Sequence, residues 1–164
     1  MILRAETPQD AAEISALTTA AFATAAHVSG TEAQIVERLR KADALLLSIV
    51  CEEDGRLVGH VAASPVEIGG QAGWAGIGPL SVLPDRQRSG IGSALMTEAL
   101  RQLRAQRQGG AVLVGDPGYY QRFGFVADPT LQVPGVPPEY VLSLPFGTGL
   151  SGEIRFHPAF GLEG

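Results

Sequence analysis

The stretch from Ser81 to Met96, Ser-Val-Leu-Pro-Asp-Arg-Gln-Arg-Ser-Gly-Ile-Gly-Ser-Ala-Leu-Met, constrains this chain more than any other. An apolar, strand-like run stops at Pro84. A short polar, basic loop follows, then Gly90 and Gly92, and then Ile91, Leu95, Ala99 and Leu103 at the four-residue spacing of one helix face. A strand that turns through glycines into a helix leaves the first helical N–H groups without internal partners, at an end that carries partial positive charge. Glycine also lets a ligand come close to the backbone. The pattern therefore predicts a phosphate site. Arg86 and Arg88 add local positive charge in a chain whose formal net charge is −5.

Three glycine-rich motifs compete for this loop. A P-loop ends in Gly-Lys-Ser/Thr, and the only lysine is Lys41, far away in the sequence. A dinucleotide-binding turn needs a third small residue, where this chain has Leu95. What remains is Gln-x-x-Gly-x-Gly, read as Gln87, Gly90 and Gly92. The plainer reading is a strand–turn–helix junction whose glycines serve packing alone.

At 164 residues, 45% of them hydrophobic and 18% charged, the chain is long enough for one domain with its own core. Its acidic balance argues against non-specific nucleic-acid binding and against an anionic membrane surface. No apolar run reaches the length of a membrane span and no signal peptide opens the chain, so the expected location is cytoplasmic. The single cysteine, Cys51, excludes an internal disulfide and reads as a buried structural thiol within Leu45–Cys51. His27, His60 and His157 are scattered without ligand spacing, so no metal is assigned; His60, beside Gly59 in a strand, reads as a core histidine.

The elements follow in order. Ile2–Ala5 is a short strand. Thr7-Pro8-Gln9-Asp10 starts a helix with Thr7 as cap, and Thr31-Glu32-Ala33-Gln34 has the form of a capping box for a second one. The 25–30 connection shows weak periodicity. Strands are expected over Leu45–Glu53, Arg56–Ile68 and Trp74–Leu83, joined by Asp54-Gly55 and Gly69-Gly70 turns. Gly78-Pro79 inside the third of these predicts a bulge, because proline cannot donate to a ladder. The central helix is expected to end at Gly109-Gly110. A short strand (Ala111–Val114), a small helix (Pro117–Arg122), a strand after Phe123-Gly124-Phe125 and late strands at Tyr140–Leu144 and Glu153–Phe156 complete the chain. Pro129–Pro138 reads as a surface connection. Pattern alone gives an α+β fold: a twisted mixed sheet with helices on both faces.

This order over residues 1–127, together with Gln87-x-x-Gly90-x-Gly92, the Ile77–Pro84 strand and Tyr119-Tyr120-Gln121-Arg122-Phe123-Gly124-Phe125, resembles the GNAT superfamily of acyl-CoA-dependent N-acetyltransferases. The tail, 128–164, resembles that of small, mostly uncharacterised bacterial members. The resemblance implies a mostly antiparallel sheet splayed at the fourth strand, one domain over 1–164 with its core at 1–127, and acetyl-CoA as cosubstrate. It implies that the diphosphate of CoA lies on amides of Arg88, Ser89, Gly90, Ile91, Gly92 and Ser93, beside Gln87. The pantetheine arm would pair with main-chain groups of Leu80, Ser81 and Val82, as an added strand would. The acceptor would be a primary amine of a small molecule or peptide; the alternative is a non-catalytic acyl-CoA-binding or sensing module. Homodimers are common in the family.

The chemistry sets further demands. A lysine-like amine is only about one part in a thousand neutral at pH 7, a deficit of roughly 4–5 kcal/mol, so a base or water relay is expected. Many family members carry a glutamate on the fourth strand, whereas Trp74–Leu83 here holds no Asp or Glu. Glu67 and Asp116 are the candidates, against plainer roles as a strand-end carboxylate and a helix cap. The thiolate leaving group calls for a proton or hydrogen-bond donor. Tyr120, four residues before Gly124, matches the family's tyrosine and is the expected acid. Tyr119, about 100° away on a helix, is expected to face elsewhere.

Overall fold

Strand β1 (Ile2–Ala5) leads through Thr7 into a 3₁₀ turn and helix α1 (Ala11–Phe22), followed by α2 (Glu32–Lys41). This is a computed structural model, and it describes residues 1–23 and 31–161; the readings made for the 25–30 connection and for His27 lie outside them. Thr7 caps the turn as expected, and the Asp10 carboxylate accepts from the Thr7 amide at 2.7 Å, adding a capping box. At Thr31 the expected box differs, since its side chain makes no cap hydrogen bond and the residue sits at ψ 4° rather than in an extended conformation.

Strands β2 (Leu47–Glu53), β3 (Arg56–Ile68) and β4 (Gln71–Val82) form an antiparallel meander. The turn between β2 and β3 puts both Asp54 and Gly55 at positive φ, as a two-residue turn matched to strand twist requires. Helix α3 (Ile91–Ala105) then crosses to β5 (Gly110–Val114), which lies parallel to β4. A single turn, α4 (Pro117–Tyr120), precedes β6 (Val126–Ala127). The remaining strands are β7 (Leu131–Gln132), β8 (Val141–Pro145) and β9 (Gly152–Arg155). The sheet order is β1-β2-β3-β4-β5-β8-β6, with β9 pairing β3 and β7. This is the mostly antiparallel α+β sheet expected. The C-terminal segment supplies β8, an interior strand held antiparallel to both β5 and β6.

Alternation along β2 assigns the two faces. Ile49 and Cys51 pack against Leu95, Met96, Ala99 and Leu103 of α3. Val50 faces Ile14, Leu17 and Val36 of α1 and α2 on the other side. The four α3 residues are fully buried, and each large side chain among them contributes about 1.5–3 kcal/mol by leaving water.

Two expectations change. Helix α3 ends before the glycine pair, because Gln106 caps it and Arg107 takes the left-handed conformation at φ +62°. Gly109 and Gly110 instead make room for Trp74: a Cβ on either would sit 2.5–2.6 Å from the indole. The Pro129–Pro138 segment is more than a surface connection, since Leu131 and Val133 are buried in a second cluster with Val66, Ile68 and Ile154.

Candidate active site

The sheet opens at β4. Its parallel pairing with β5 is confined to Ala75–Ala111 and Gly76–Val112, while β3 stays paired to it as far as Val82. Between the Ala63–Ile77 and Val61–Leu80 pairs, β4 carries one residue more than β3, a bulge at Gly78-Pro79. From Ile77 onward the edge of β4 that faces β5 therefore has no strand partner among the described residues.

A cleft of about 620 Å³ lies along this edge, lined by Leu80 and Val82 of β4, by Gln87, Arg88, Gly90, Gly92 and Ser93, and by Tyr119, Tyr120 and Arg122. Arg88 and Gly90 take φ of +64° and +88°, which turns the chain into α3. The first recorded bond at this helix end is Ala94 N–H to Gly90 carbonyl at 3.0 Å. Among the described residues, no protein acceptor receives the amides of Arg88 through Ser93. These six N–H groups lie at the positive end of a 15-residue helix, a ready site for an anion. The Gln87 side chain donates to the Val82 carbonyl at 3.2 Å and ties the loop to β4.

Not every residue singled out on this loop turns its side chain to the cleft. Ile91 packs into the core and Ser81 is buried on the opposite sheet face. The Ser89 hydroxyl bonds the Arg86 carbonyl. Arg86 is ion-paired to Glu53 and does not line the cleft, so the local positive charge comes from Arg88 and Arg122. Arg122 escaped the sequence reading. It sits over the Tyr119 ring at 4.4 Å and donates to the Tyr119 carbonyl at 2.8 Å. Its position one turn beyond Tyr119 was the available signal.

Both tyrosines face the cleft, which corrects the expectation for Tyr119. One helical turn is too short to separate the rings, and they meet edge to face at 4.9 Å. A Cβ on Gly92 would stand 2.7 Å from the Tyr119 hydroxyl, so a side chain there would push the Tyr119 ring aside. Tyr120 packs edge-on to Phe125. Burial pushes its phenol up to about 12, with Tyr119 and Asp116 adding to the shift. It stays protonated across the physiological range, and its hydroxyl has no hydrogen-bond partner among the described residues.

The remaining candidates lie elsewhere. Asp116 caps α4, accepting from Gly118 N–H at 2.9 Å. Glu67 is exposed near the far end of β3, opposite Arg155. His60 is fully buried on the α1 face, its Nε2 2.8 Å from Ser48 Oγ. Ser48 donates to Glu6, whose carboxylate also receives Arg40 at 2.7 Å. Ser48 Oγ must then accept from His60 Nε2–H, which leaves Nδ1 bare and unpartnered.

A mixed sheet parted beside a glycine-rich helix N-terminus, with a tyrosine in the gap, is the architecture of acyl-CoA-dependent acetyltransferases. Residues 3–127 match the model of the acetyltransferase (GNAT) domain family, and the chain belongs to that family. It is 37% identical over 127 residues to the uncharacterized N-acetyltransferase YhbS of Escherichia coli K12, covering 76% of this chain and 73% of that one. Among solved structures it resembles a GNAT family acetyltransferase from Brucella melitensis in complex with acetyl-CoA, with 49% identity, 97% of each chain covered and a TM-score of 0.87. It also resembles E. coli YhbS in complex with CoA, with 31% identity, 98% of this chain and 91% of that chain covered, and a TM-score of 0.88.

Proposed function

We propose that this protein transfers an acetyl group from acetyl-CoA to a primary amine of a small molecule or peptide. The observation that carries the reading is the set of unpaired amides from Arg88 to Ser93, opening on the same cleft as Tyr120 and the free edge of β4. The amides match a diphosphate in charge and in donor count. Leu80 and Val82 offer main-chain groups to the amide-bearing arm of CoA. A β4 amide near the bulge would bond the thioester carbonyl and stabilise charge developing there.

Tyr120 serves the leaving sulfur. A phenol near pKa 12 is a weaker acid than a thiol of about 8.5, so complete proton transfer to the thiolate is uphill by roughly 5 kcal/mol. The hydroxyl therefore acts as a hydrogen-bond donor to developing negative charge, and the thiol acquires its proton from the acceptor nitrogen by way of water. Calorimetry with acetyl-CoA tests the reading, with Gly92→Asp as the control. The wild type binds; the variant loses binding, through repulsion of the diphosphate and displacement of the Tyr119 hydroxyl, and keeps a cooperative melt. No heat and no thermal shift in the wild type would overturn the assignment.

A further inference from the structure

A second cavity, of about 330 Å³, lies on the other side of the bulge. Ile77, Gly78 and Pro79 of β4 and Val114 of β5 form its floor, so its floor comes from the two strands that part. The first cleft uses Leu80 and Val82 of the same strand. From Val82 to Ile77 is about 16 Å of strand, comparable to the reach of an extended pantetheine arm. A donor seated on the α3 amides would bring its thioester to the floor of this second cavity. Its walls are Phe22, Ile35, Phe156 and Phe160, with Thr31 and Glu32 as the polar lining. The rings of Phe156 and Phe160 stand 5.4 Å apart at 45°. The Pro158–Phe160 turn is anchored because Ala159 packs on Ile35 and Leu39 of α2, and His157 Nδ1 caps it at 3.0 Å.

Resting on the proposed acetyl transfer, we propose that this cavity is the acceptor subsite and selects primary amines carried on an aromatic or branched aliphatic body. At about 30 Å³ for each water-sized atom, it holds a body of roughly eleven non-hydrogen atoms. Its apolar walls favour each added methylene by about fourfold in affinity. They disfavour a polyamine or a multiply charged peptide, whose further charges outnumber the one carboxylate, Glu32, that the described residues place in the lining. The selectivity is supplied largely by the tail, since Phe156 and Phe160 lie outside the residues, 3–127, that match the family model.

The test is kcat/KM at saturating acetyl-CoA for ethylamine, butylamine, hexylamine and phenethylamine, against spermidine and a lysine-containing peptide. The expected result is a rise of about fourfold per methylene, with phenethylamine above spermidine and the peptide. Phe160→Leu and Phe160→Ala should lower kcat/KM for phenethylamine by about threefold and tenfold or more, through KM, while the KM for acetyl-CoA stays constant. Two variants graded in volume separate loss of the wall from loss of the fold. A flat series, or spermidine or the peptide preferred while acetyl-CoA still binds, overturns this inference and leaves acetyl transfer standing. Absence of acetyl-CoA binding overturns the underlying reading instead.

Discussion

Replacing His60 with glutamine should flatten the acid limb of this protein's stability. His60 is fully buried, and desolvation is the largest cause holding its imidazolium pKa down at about 4; the Glu6 charge opposes that shift and Arg40 assists it. The unfolded chain titrates near 6.5, so between pH 6.5 and 4 the unfolded state binds the proton that the folded state refuses. Stability is thus fully present above 6.5 and is lost as pH falls toward 4. At pH 4.5, two units below the unfolded value, the loss is about 2.5 kcal/mol. Glu6 acts in a lower window: burial raises its carboxyl, but hydrogen bonds from Arg40 and Ser48 outweigh that and hold it below its ordinary value. Urea melts followed by the buried Trp74 give the readout. With a slope of about 2 kcal/mol/M, the wild-type midpoint should fall by more than about 1 M between pH 7 and 4.5. Glutamine can donate to Ser48 and carries no titrating proton, so the midpoint of His60→Gln should barely move over the same range. Parallel acid limbs in the two proteins would refute the burial argument.

Three further outcomes follow from the site and core. Tyr120→Phe should cut kcat by about 10²-fold or more while acetyl-CoA affinity in calorimetry stays within about threefold, because the lost hydroxyl serves only the leaving group. Gly90→Ala, at φ +88° with open space around its Cβ, should cost about 1–2 kcal/mol in left-handed strain and lower Tm by a few degrees in calorimetric melts. Cys51 is fully buried in β2 between β1 and β3, and burial raises its thiol, so native protein should react with a thiol-exchange reagent only as fast as it unfolds.

What could be read from the residues was whatever local geometry dictates. The Asp54-Gly55 turn, the bulge at Gly78-Pro79 and the start of α3 at Ile91 each follow from a glycine that reaches backbone conformations other residues avoid or a proline that cannot donate to a ladder. The misread features depend on partners distant in the chain. Gly109 and Gly110 looked like a helix stop until Trp74, from another strand, was seen to occupy the space their side chains would take. Arg86 looked like phosphate-binding charge, but Glu53 across the turn neutralises it. Helical angles separated Tyr119 from Tyr120, yet the helix lasts one turn and both rings fall into the same gap. The aromatic wall of the second cavity carries no local signature, because its role arises only when tail, α2 and β4 meet.

That wall also bears on the missing carboxylate of β4. An amine of pKa about 10.4 must shed a proton before it attacks, and neither Asp116, committed to a helix cap, nor Glu67, at a strand end, stands at the bulge; among the described residues, the one carboxylate in the cavity lining is Glu32 of α2. An apolar cavity can do part of that work. Desolvation disfavours the ammonium form and lowers amine pKa values by up to several units in protein interiors. In the acceptor subsite proposed above, where desolvation by the aromatic walls outweighs the Glu32 carboxylate, the bound amine would lose its proton to solvent on entry, and the cavity would stand in for a base. The pH profile separates the two cases. With phenethylamine, kcat/KM should rise toward the pKa of the free amine, while kcat, reporting the bound state, should level off at least one unit lower. Phe160→Ala wets the cavity and should move the kcat limb back up toward the free value. A kcat limb at the free-amine pKa in the wild type would show that the walls do not desolvate the nitrogen, and deprotonation would then have to come from a residue on another element.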